Sequence, residues 1–148
     1  MKKLELKNRS AYYEYAIEDK YIAGMVLTGT EIKSIRAGKV SFNDSFCFFD
    51  RDELWVKSLH IAEYSFGTTA NHLPLQERKL LLTKKELRKW QQKMKERGYT
   101  IIPLRIFIND KGLAKMEIGL GKGKKLHDKR DTIKEREADR ELRRNYKV

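Results

Sequence analysis

The sequence predicts a mainly β fold, a small closed or partly closed barrel with accessory helices, followed by a basic C-terminal tail. About six segments of the first 121 residues are rich in aromatic and β-branched residues, which favour strands. Only two segments carry helix signals. The last 27 residues hold 11 Lys and Arg against six Asp and Glu, and their few apolar residues form no stripe that could dock on a core. We therefore expect the tail to be disordered in the free protein.

The N-terminal half contains the shorter helix and most of the strands. Residues 31–37 place apolar side chains three positions apart and are followed by Gly38, a typical helix stop, which predicts a short helix with a basic outer face. Residues 50–53 are polar and predict a turn. Aromatic and β-branched runs predict four strands, at residues 12–17, 21–28, 40–49 and from 54 to about 64.

The clearest helix lies in the second half of the chain. Its first turn holds Thr83 and Glu86, a capping box in which each side chain bonds the backbone N–H group of the other residue. The helix is expected to end before Gly98. Residues 65–78 lack any periodicity and predict a loop, and residues 79–82 lead into the helix.

Two strands joined by a hairpin complete the predicted barrel. Residues 99–108 and 113–120 alternate between apolar and polar side chains, and the Asn-Asp-Lys-Gly sequence between them is a strong turn signal. We expect one helix to plug one opening of the barrel. The glycine-rich run at residues 119–125 predicts a flexible exit into the tail.

The charge of the chain indicates a large anionic partner. The formal net charge is +12, of which +5 falls in the last 27 residues and the remaining +7 in the body. A basic body joined to a basic tail favours RNA or DNA. An anionic membrane surface is the alternative, but no apolar run approaches membrane-spanning length. The charged start of the chain is unlike a signal peptide, and the single cysteine, Cys47, fits a buried position in a cytoplasmic protein.

The sequence offers little for catalysis. Its three histidines and one cysteine show no metal-ligand spacing, and residues 119–125 lack the spacing of a phosphate-binding loop. No general acid/base pair stands out, so we expect neither a catalytic site nor a cofactor. Most aromatic residues should pack in the core, but at least one should stack on bases; the candidates are Tyr12, Tyr13, Tyr15, Tyr21, Tyr64, Phe66 and Tyr99.

Several motifs in order carry a resemblance to a known family. They are Ala23-Gly24, LTGTEIKSIRAGK at 27–39, Asp44-Ser45, RKLLL at 78–82, GKGKK at 121–125, DKR at 128–130 and IKERE at 133–137. From Asn8 to about Glu137 the chain resembles the small protein B family, the tmRNA-binding (SsrA-binding) proteins of bacterial trans-translation. Ile22 departs from the family pattern, in which Glu often precedes the Ala-Gly pair.

The resemblance implies a fold and a function. The fold is an oligonucleotide-binding (OB) type barrel at residues 1–121, with a tail at 122–148 that becomes helical on the ribosome. The protein would bind the tRNA-like domain of alanyl-tmRNA and deliver it to stalled ribosomes. Its tail would enter the empty mRNA channel near the decoding centre of the small subunit. It would act in the cytoplasm as a monomer, without a cofactor and without binding to a membrane.

The resemblance also implies which residues meet RNA. Four basic residues would neutralise phosphates: Arg36, Lys39, Lys79 and Lys115. Three polar residues would form directional hydrogen bonds: Asn8, Glu31 and His60. Leu81 would pack against the RNA surface. A helix N-terminus favours a carboxylate with or without RNA, so Glu31 has a second explanation. The tail residues expected at the ribosome are Lys122, Gly123, Lys124, Lys125, His127, Asp128, Lys129, Arg130, Arg136 and Arg140.

Two other classes of protein stay open on the sequence. An RNA-processing or RNA-modifying enzyme can use the same barrel scaffold, although a metal site and an acid/base pair would then be expected. A ribosomal or ribosome-assembly protein has the same basic composition, and composition cannot separate it from the tmRNA-binding function.

Overall fold

A computed structural model describes residues 4–66 and 71–124 of the chain. These two ranges contain strands β1 (Glu5–Lys7), β2 (Tyr15–Met25), β3 (Val40–Ser41), β4 (Phe46–Asp50), β5 (Glu53–Lys57), β6 (His60–Ile61), β7 (Arg78–Leu81), β8 (Tyr99–Ile108) and β9 (Ala114–Gly123). They also contain helices α1 (Ala11–Glu14), α2 (Gly29–Arg36) and α3 (Lys84–Lys93).

Six of these strands close into a ring. Their order is β8-β4-β5-β7-β2-β9, and β9 pairs with β8 to complete the ring. The ladders are antiparallel, and β1 adds to the outer edge of the second half of β8. Every strand of the ring sends buried residues into one main core. The structure thus confirms the predicted mainly β barrel with accessory helices.

The start of the chain differs from the prediction. The strands predicted at 12–17 and 21–28 are a single strand, β2, preceded by the one-turn helix α1. α1 forms because Ala11 is buried against β8 in a small second core, which overrides the strand preference of the tyrosines beside it. The polar residues 18–20 separate the two predicted strands in the sequence, but Asp19 and Lys20 pair with β9, and the chain passes Glu18 as a β-bulge.

Two predicted strands are interrupted where the backbone becomes left-handed. The strand predicted at 40–49 is divided into β3 and β4, with Asp44 between them at φ 62°. The strand predicted at 54–64 is divided into β5 and β6 at Ser58, whose φ is 63°. β3 and β6 then pair as a separate two-stranded sheet. The predicted turn at 50–53 is confirmed, since its two central residues have φ of 55° and 67°, the signs of a tight hairpin turn.

The segment around α3 is partly as predicted. The residues that precede it form β7, which pairs with β5 and β2 rather than serving only as a lead into the helix. The capping box is present: Glu86 N donates to Thr83 Oγ1 (3.2 Å), and Thr83 N donates to Glu86 Oε1 (3.0 Å). α3 ends at Lys93, earlier than predicted, because the amides of the next turn bond carbonyls three residues back and tighten the backbone before Gly98.

α2 and α3 cover opposite ends of the ring, which we call the α2 pole and the α3 pole. Arg36 on α2 donates to the carbonyl of Gly112 in the β8–β9 turn (3.2 Å). Gln91 on α3 donates to Asp52 Oδ1 in the β4–β5 turn (2.7 Å). Because β4 and β8 are antiparallel neighbours, these two turns lie at opposite ends of the barrel. The sequence predicts a helical plug at one opening, whereas the structure has one at each.

Trp90 anchors α3 to the barrel. Its side chain is fully buried and stacks on the Tyr21 ring, with 4.4 Å between centroids. Its Nε1 donates to Asp19 Oδ2 (2.9 Å), and the Lys89 ammonium lies 3.3 Å from the same oxygen. Burial raises the pKa of the Asp19 carboxyl, but the hydrogen bonds from Trp90 and Lys89 outweigh burial, so the pKa lies below its ordinary value. The carboxylate is therefore charged at neutral pH and holds the indole in place.

The glycine-rich end of β9 is part of the sheet. β9 continues to Gly123, which pairs with Tyr15, so the predicted flexible exit at 119–125 is wrong up to residue 123. A Cβ at Gly121 would lie 2.3 Å from the Ala16 carbonyl oxygen. Glycine is needed there for close packing of two strands rather than for flexibility. Lys122 and Gly123, predicted to start the tail, thus belong to the barrel.

We predict that Trp90→Ala lowers the free energy of unfolding by about 3–5 kcal/mol, the usual cost of deleting a large buried side chain. Urea denaturation of the full chain measures this. Arg88→Ala on the exposed face of α3 is the matched control and should change stability by less than about 0.5 kcal/mol. Equal effects of the two substitutions would contradict the role of Trp90 as the anchor of α3.

Candidate nucleic-acid interface

The first turn of α2 is tied to a buried ion pair. Glu31 N donates to Thr28 Oγ1 (3.3 Å), and Thr28 N donates to Glu31 Oε1 (2.8 Å), which completes a second capping box. The other carboxylate oxygen, Oε2, accepts from Arg78 Nε (2.5 Å) and from Gln76 Nε2 (3.0 Å). The side chains of Glu31 and Arg78 are each only 1% exposed.

The remaining donors of Arg78 hold the chain segment between β6 and β7. Nη1 donates to the carbonyl of Leu59 (2.6 Å), and Nη2 donates to the carbonyls of Leu73 (3.2 Å) and Pro74 (3.0 Å). This network gives Glu31 a structural role, because its carboxylate is buried and both oxygens have internal partners that hold α2. Direct bonding of RNA by Glu31 stays a prediction. Arg78 is the partner that sequence reasoning missed.

Three predicted RNA-binding residues lie exposed at the α2 pole. Arg36 is in the last turn of α2, and Lys39 follows in the connection to β3. His60 is on β6, opposite Ser41 of β3, and the amide of Ala62 donates to the carbonyl of Lys39 (3.0 Å). In this register Lys39 and His60 occupy diagonal positions at the small β3–β6 sheet next to α2. We call Arg36, Lys39 and His60 the α2-pole surface.

Three other predicted residues meet on the outer face of the barrel. Gly24 of β2 pairs with Leu81 of β7 on one side and with Lys115 of β9 on the other. A Cβ at Gly24 would lie 3.5 Å from Leu81 Cβ and 3.7 Å from Lys115 Nζ, so the two side chains converge above the glycine. Lys79 is on the same face of β7, and its ammonium contacts Glu53 Oε2 (2.7 Å). We call Gly24, Lys79, Leu81 and Lys115 the Gly24 surface.

Two apolar residues that sequence reasoning did not assign to the site belong to the Gly24 surface. Leu81 is 50% exposed, Ile22 on β2 is 46% exposed, and Val26, the residue that follows β2, is 51% exposed. Alternation along β2 puts Ile22 and Gly24 on one face, opposite the buried Ala23, and the amide of Val26 still bonds the carbonyl of Lys79 beside them (3.1 Å). The alternation of side chains along the strand was the sequence signal that could have identified these two residues. Ile22 thus lies inside the predicted site, in a position where relatives often carry Glu.

Asn8 lies apart from both surfaces. Its Nδ2 donates to the carbonyl of Pro103 (2.8 Å), and its Oδ1 accepts from the Ser10 hydroxyl (3.3 Å). It lines a polar cleft between α1 and the β3–β4 connection, opposite Asn43 and Asp44. The structure does not bring Asn8 together with the other predicted residues, and its role in RNA binding stays a prediction.

The end of β9 lies beside the end of α3. The Lys122 ammonium lies 4.7 Å from the centroid of the Tyr99 ring, and the Lys93 ammonium lies 5.3 Å from it. A hydrogen bond from the Tyr99 hydroxyl to Glu18 (2.6 Å) raises the pKa of Tyr99 to about 12. Lys124 then bonds α1, where its amide donates to the carbonyl of Glu14 (2.8 Å). The other predicted tail residues lie outside the described residues: Lys125, His127, Asp128, Lys129, Arg130, Arg136 and Arg140.

The aromatic candidates for base stacking divide into two groups. Tyr12, Tyr13 and Phe66 are exposed. Four candidates are partly buried, and one of them, Tyr21, is covered by Trp90: Tyr15, Tyr21, Tyr64 and Tyr99.

The described residues show no sign of reactive-thiol, metal or membrane chemistry. Burial raises the pKa of the Cys47 thiol, which keeps it protonated inside the core. Within residues 4–66 and 71–124, no group of three His, Cys, Asp or Glu side chains could hold a metal ion. No helix in the same ranges is long and apolar enough to span a membrane.

Comparison with known proteins identifies the family. A family model described as "SmpB protein" matches residues 5–148. The chain belongs to the SmpB family. Among its relatives within the family, an "SsrA-binding protein" from Bacteroides thetaiotaomicron is 54% identical over 144 residues, which is 97% of this chain and 96% of the relative. One from Flavobacterium psychrophilum is 55% identical with the same coverage.

SmpB relatives also come from more distant organisms and from solved structures. An "SsrA-binding protein" from Leifsonia xyli is 50% identical over 142 residues, which is 96% of this chain and 89% of the relative. A chain from a structure described as "tmRNA-SmpB: a journey to the center of the bacterial ribosome" is 48% identical, with a TM-score of 0.69. That match covers 81% of this chain and 84% of the other. The barrel described above is therefore the fold of an SmpB family member.

We predict that Arg78→Met lowers the free energy of unfolding by about 3–5 kcal/mol, because it leaves the Glu31 carboxylate buried without its charged partner. Lys39→Met removes an exposed positive charge from the α2-pole surface and is the control, expected to cost less than about 0.5 kcal/mol. Urea denaturation compares the two. Unchanged stability of Arg78→Met would mean that the ion pair does not hold α2 in place.

Proposed function

We propose that this SmpB family member is a tmRNA-binding protein of ribosome rescue. It binds the tRNA-like domain of alanyl-tmRNA, delivers it to stalled ribosomes, and places its C-terminal tail in the empty mRNA channel near the decoding centre. The observation that carries this proposal is the convergence of Leu81 and Lys115 at Gly24, with Lys79 on the same exposed face of the barrel. The "SsrA-binding" relatives and the tmRNA-SmpB ribosome structure support the same partners.

The Gly24 surface has the chemistry of a nucleotide contact. Lys79 and Lys115 would neutralise phosphates, and each neutralised phosphate releases counterions and strengthens binding. Leu81, with Ile22 and Val26, offers an apolar surface for the face of a ribose or base. Gly24 itself has no side chain, so the side chains of Leu81 and Lys115 can approach each other above the strand.

The α2-pole surface extends the footprint of the tRNA-like domain. Arg36 bonds the turn that leads directly into β9, the strand of Lys115, so the two surfaces adjoin along one side of the barrel. Lys39 supplies a further cation, and His60 can donate or accept a hydrogen bond at a base edge or a 2′-hydroxyl group. The directional contacts that allow tmRNA to be distinguished from other RNA would be made at this pole.

The division of labour between barrel and tail is part of the proposal. Residues up to Lys124 form the tmRNA-binding barrel, and residues 125–148 form the ribosome-binding tail. This boundary is three residues later than the sequence predicts, because β9 continues through Lys122 and Gly123 and Lys124 bonds α1. The tail residues proposed to contact the decoding centre and mRNA channel include Lys129, Arg130, Arg136 and Arg140.

The proposed protein is a monomeric cytoplasmic binding factor without catalytic activity or cofactor. An RNA-processing enzyme is the alternative class. Incubation of the purified protein with structured RNA distinguishes them: a mobility shift without a cleaved or modified product supports the binding factor. Sequencing of the RNA that co-purifies from cells distinguishes it from a ribosomal or assembly protein, since a tmRNA-binding protein should enrich tmRNA over ribosomal RNA.

We predict that Lys115→Glu weakens binding of the tRNA-like domain at least tenfold and lowers the slope of log affinity against log salt by about 0.7–0.9, the contribution of one phosphate. Lys57→Glu on β5 makes the same charge change at an exposed position outside both surfaces, and should weaken binding less than about threefold by the general loss of charge. Filter binding at several salt concentrations measures both. Equal losses would place the footprint elsewhere.

We also predict that removal of residues 125–148 leaves the affinity for the tRNA-like domain within several-fold of the full chain, while tagging of stalled nascent peptides is lost. The cut follows Lys124 because this residue is bonded to α1. Filter binding and a reconstituted tagging reaction give the two readouts. Loss of tmRNA binding, or persistence of tagging, would contradict the division between barrel and tail.

A further inference from the structure

His72 is a buried histidine at the α2 pole that none of the proposed RNA contacts uses. It is only 5% exposed, whereas His60 on β6 is exposed. The two ring nitrogens of His72 have different partners: Nδ1 lies 2.9 Å from the Thr30 hydroxyl oxygen, and Nε2 lies 2.9 Å from the carbonyl oxygen of Ile61. Thr30 is in the first turn of α2 and Ile61 is on β6, so the imidazole bridges the helix and the strand that carry the α2-pole surface.

The partners of His72 decide which ring nitrogen carries the hydrogen. A carbonyl oxygen can only accept, so Nε2 donates to Ile61, and Nδ1 of the neutral ring is left to accept from the Thr30 hydroxyl. Both nitrogens are thus satisfied inside the fold. A side chain with the same shape but without these nitrogens would remove one partner from the Ile61 carbonyl and one from the Thr30 hydroxyl, which is costly at a buried site.

Further hydrogen bonds hold the chain segment that carries His72. Asn71 bonds the backbone of Tyr64 twice, through its Nδ2 (3.0 Å) and its Oδ1 (3.1 Å). The Ile61 amide donates to the carbonyl of Pro74 (3.0 Å), so both backbone groups of Ile61 bond residues 72–74. β6 is therefore held by β3 on one edge and by this segment on the other.

This arrangement fixes the place of two residues of the α2-pole surface. His60 precedes Ile61 on β6, and the carbonyl of Lys39 accepts from the amide of Ala62, which follows Ile61 (3.0 Å). A displacement of Ile61 would therefore move His60 and Lys39 together. A directional contact with a ligand needs its group held to within about 0.5 Å by the residues that support it. His72 provides this support from inside the fold.

We propose that His72 is a positioning residue for tmRNA binding. Through Ile61 and Thr30 it holds His60 and the first turn of α2 in the geometry that the tRNA-like domain recognises. His72 is buried, so it acts through these neighbours rather than by touching the RNA. The identity of the RNA rests on the proposed function, whereas the placement of His60 by His72 rests on contacts within the fold.

The test is a double-mutant cycle in the full-length protein. His72→Phe removes both hydrogen bonds and keeps a ring of similar size, and His60→Ala removes the exposed imidazole. The two substitutions are made separately and together. Affinity for a transcript of the tRNA-like domain is measured by filter binding, at a temperature where circular dichroism shows that every variant is folded. Lys115→Glu, made with and without His72→Phe, is the matched reference cycle because Lys115 lies on the Gly24 surface.

We expect His72→Phe to weaken binding about tenfold, as for the loss of one well-placed hydrogen bond. His60→Ala should weaken binding about tenfold alone, but less than about threefold beside His72→Phe, because the imidazole it removes is then already misplaced. Lys115→Glu should weaken binding by the same factor with and without His72→Phe. Unchanged binding by His72→Phe, or an equal effect of His60→Ala in both backgrounds, overturns the proposal.

Three further variants separate positioning from stability. His72→Gln keeps a donor and an acceptor on one side chain and should bind within about threefold of the unaltered protein. Trp90→Phe removes a buried hydrogen bond at the α3 pole and should change the affinity by less than about twofold. A loss with His72→Gln or Trp90→Phe as large as that with His72→Phe contradicts the positioning role. If His72→Phe does not fold, Thr30→Val, which breaks only the bond to α2, takes its place in the cycle with the same expected coupling to His60.

Amide hydrogen exchange without RNA distinguishes a failure of this proposal from a failure of the proposed function. The Ala62 amide, bonded to Lys39, should exchange about tenfold faster in His72→Phe, while the Val26 amide, bonded to Lys79, should change much less. If the unaltered protein does not bind the tRNA-like domain but Ala62 shows this change, the tmRNA function is wrong and the placement of His60 by His72 stands. If the protein binds the domain but the cycle with His60 is additive, the His72 proposal is wrong and the tmRNA function stands.

Discussion

The buried ion pair between Glu31 and Arg78 is the interaction on which the α2 pole depends. Removing two charges from water costs several kcal/mol for each ion, and only a network that satisfies every donor and acceptor offsets that cost. Here the carboxylate also bonds Gln76 and the first turn of α2, and the guanidinium bonds three backbone carbonyls. One interaction thus joins α2, β7 and the segment before β7. The backbone that carries the exposed Arg36 and Lys39 is held in position because this buried network holds α2.

A helix closes each end of the barrel, but different interactions hold the two helices in place. At the α2 pole a charged network closes the barrel, with Ile35 in the core. At the α3 pole a single large side chain, Trp90, is buried and hydrogen-bonded to Asp19. Both arrangements leave the polar face of the helix exposed to solvent.

Features with local causes could be predicted from the sequence, and features with distant causes could not. The capping box at Thr83 and the hairpin turn at 50–53 depend on neighbouring residues alone. The burial of Glu31 depends on Arg78, which is 47 residues away, so the neighbouring residues gave no sign of this ion pair. Lys79 and Leu81 share a face because strands alternate, but their convergence with Lys115 requires β2 between them.

Closure of the ring by its last strand has a consequence for how the protein is made. β9 joins β2 and β8 and supplies Met116, Ile118 and Leu120 to the core, and its partner Tyr15 is more than a hundred residues away. Pairings between such distant segments form late, because the entropy of a long loop is lost before the contacts compensate for it. Until β9 is in place the barrel has an open seam, and the Gly24 surface lacks Lys115. A copy of the chain that ends before β9 therefore cannot form the complete Gly24 surface.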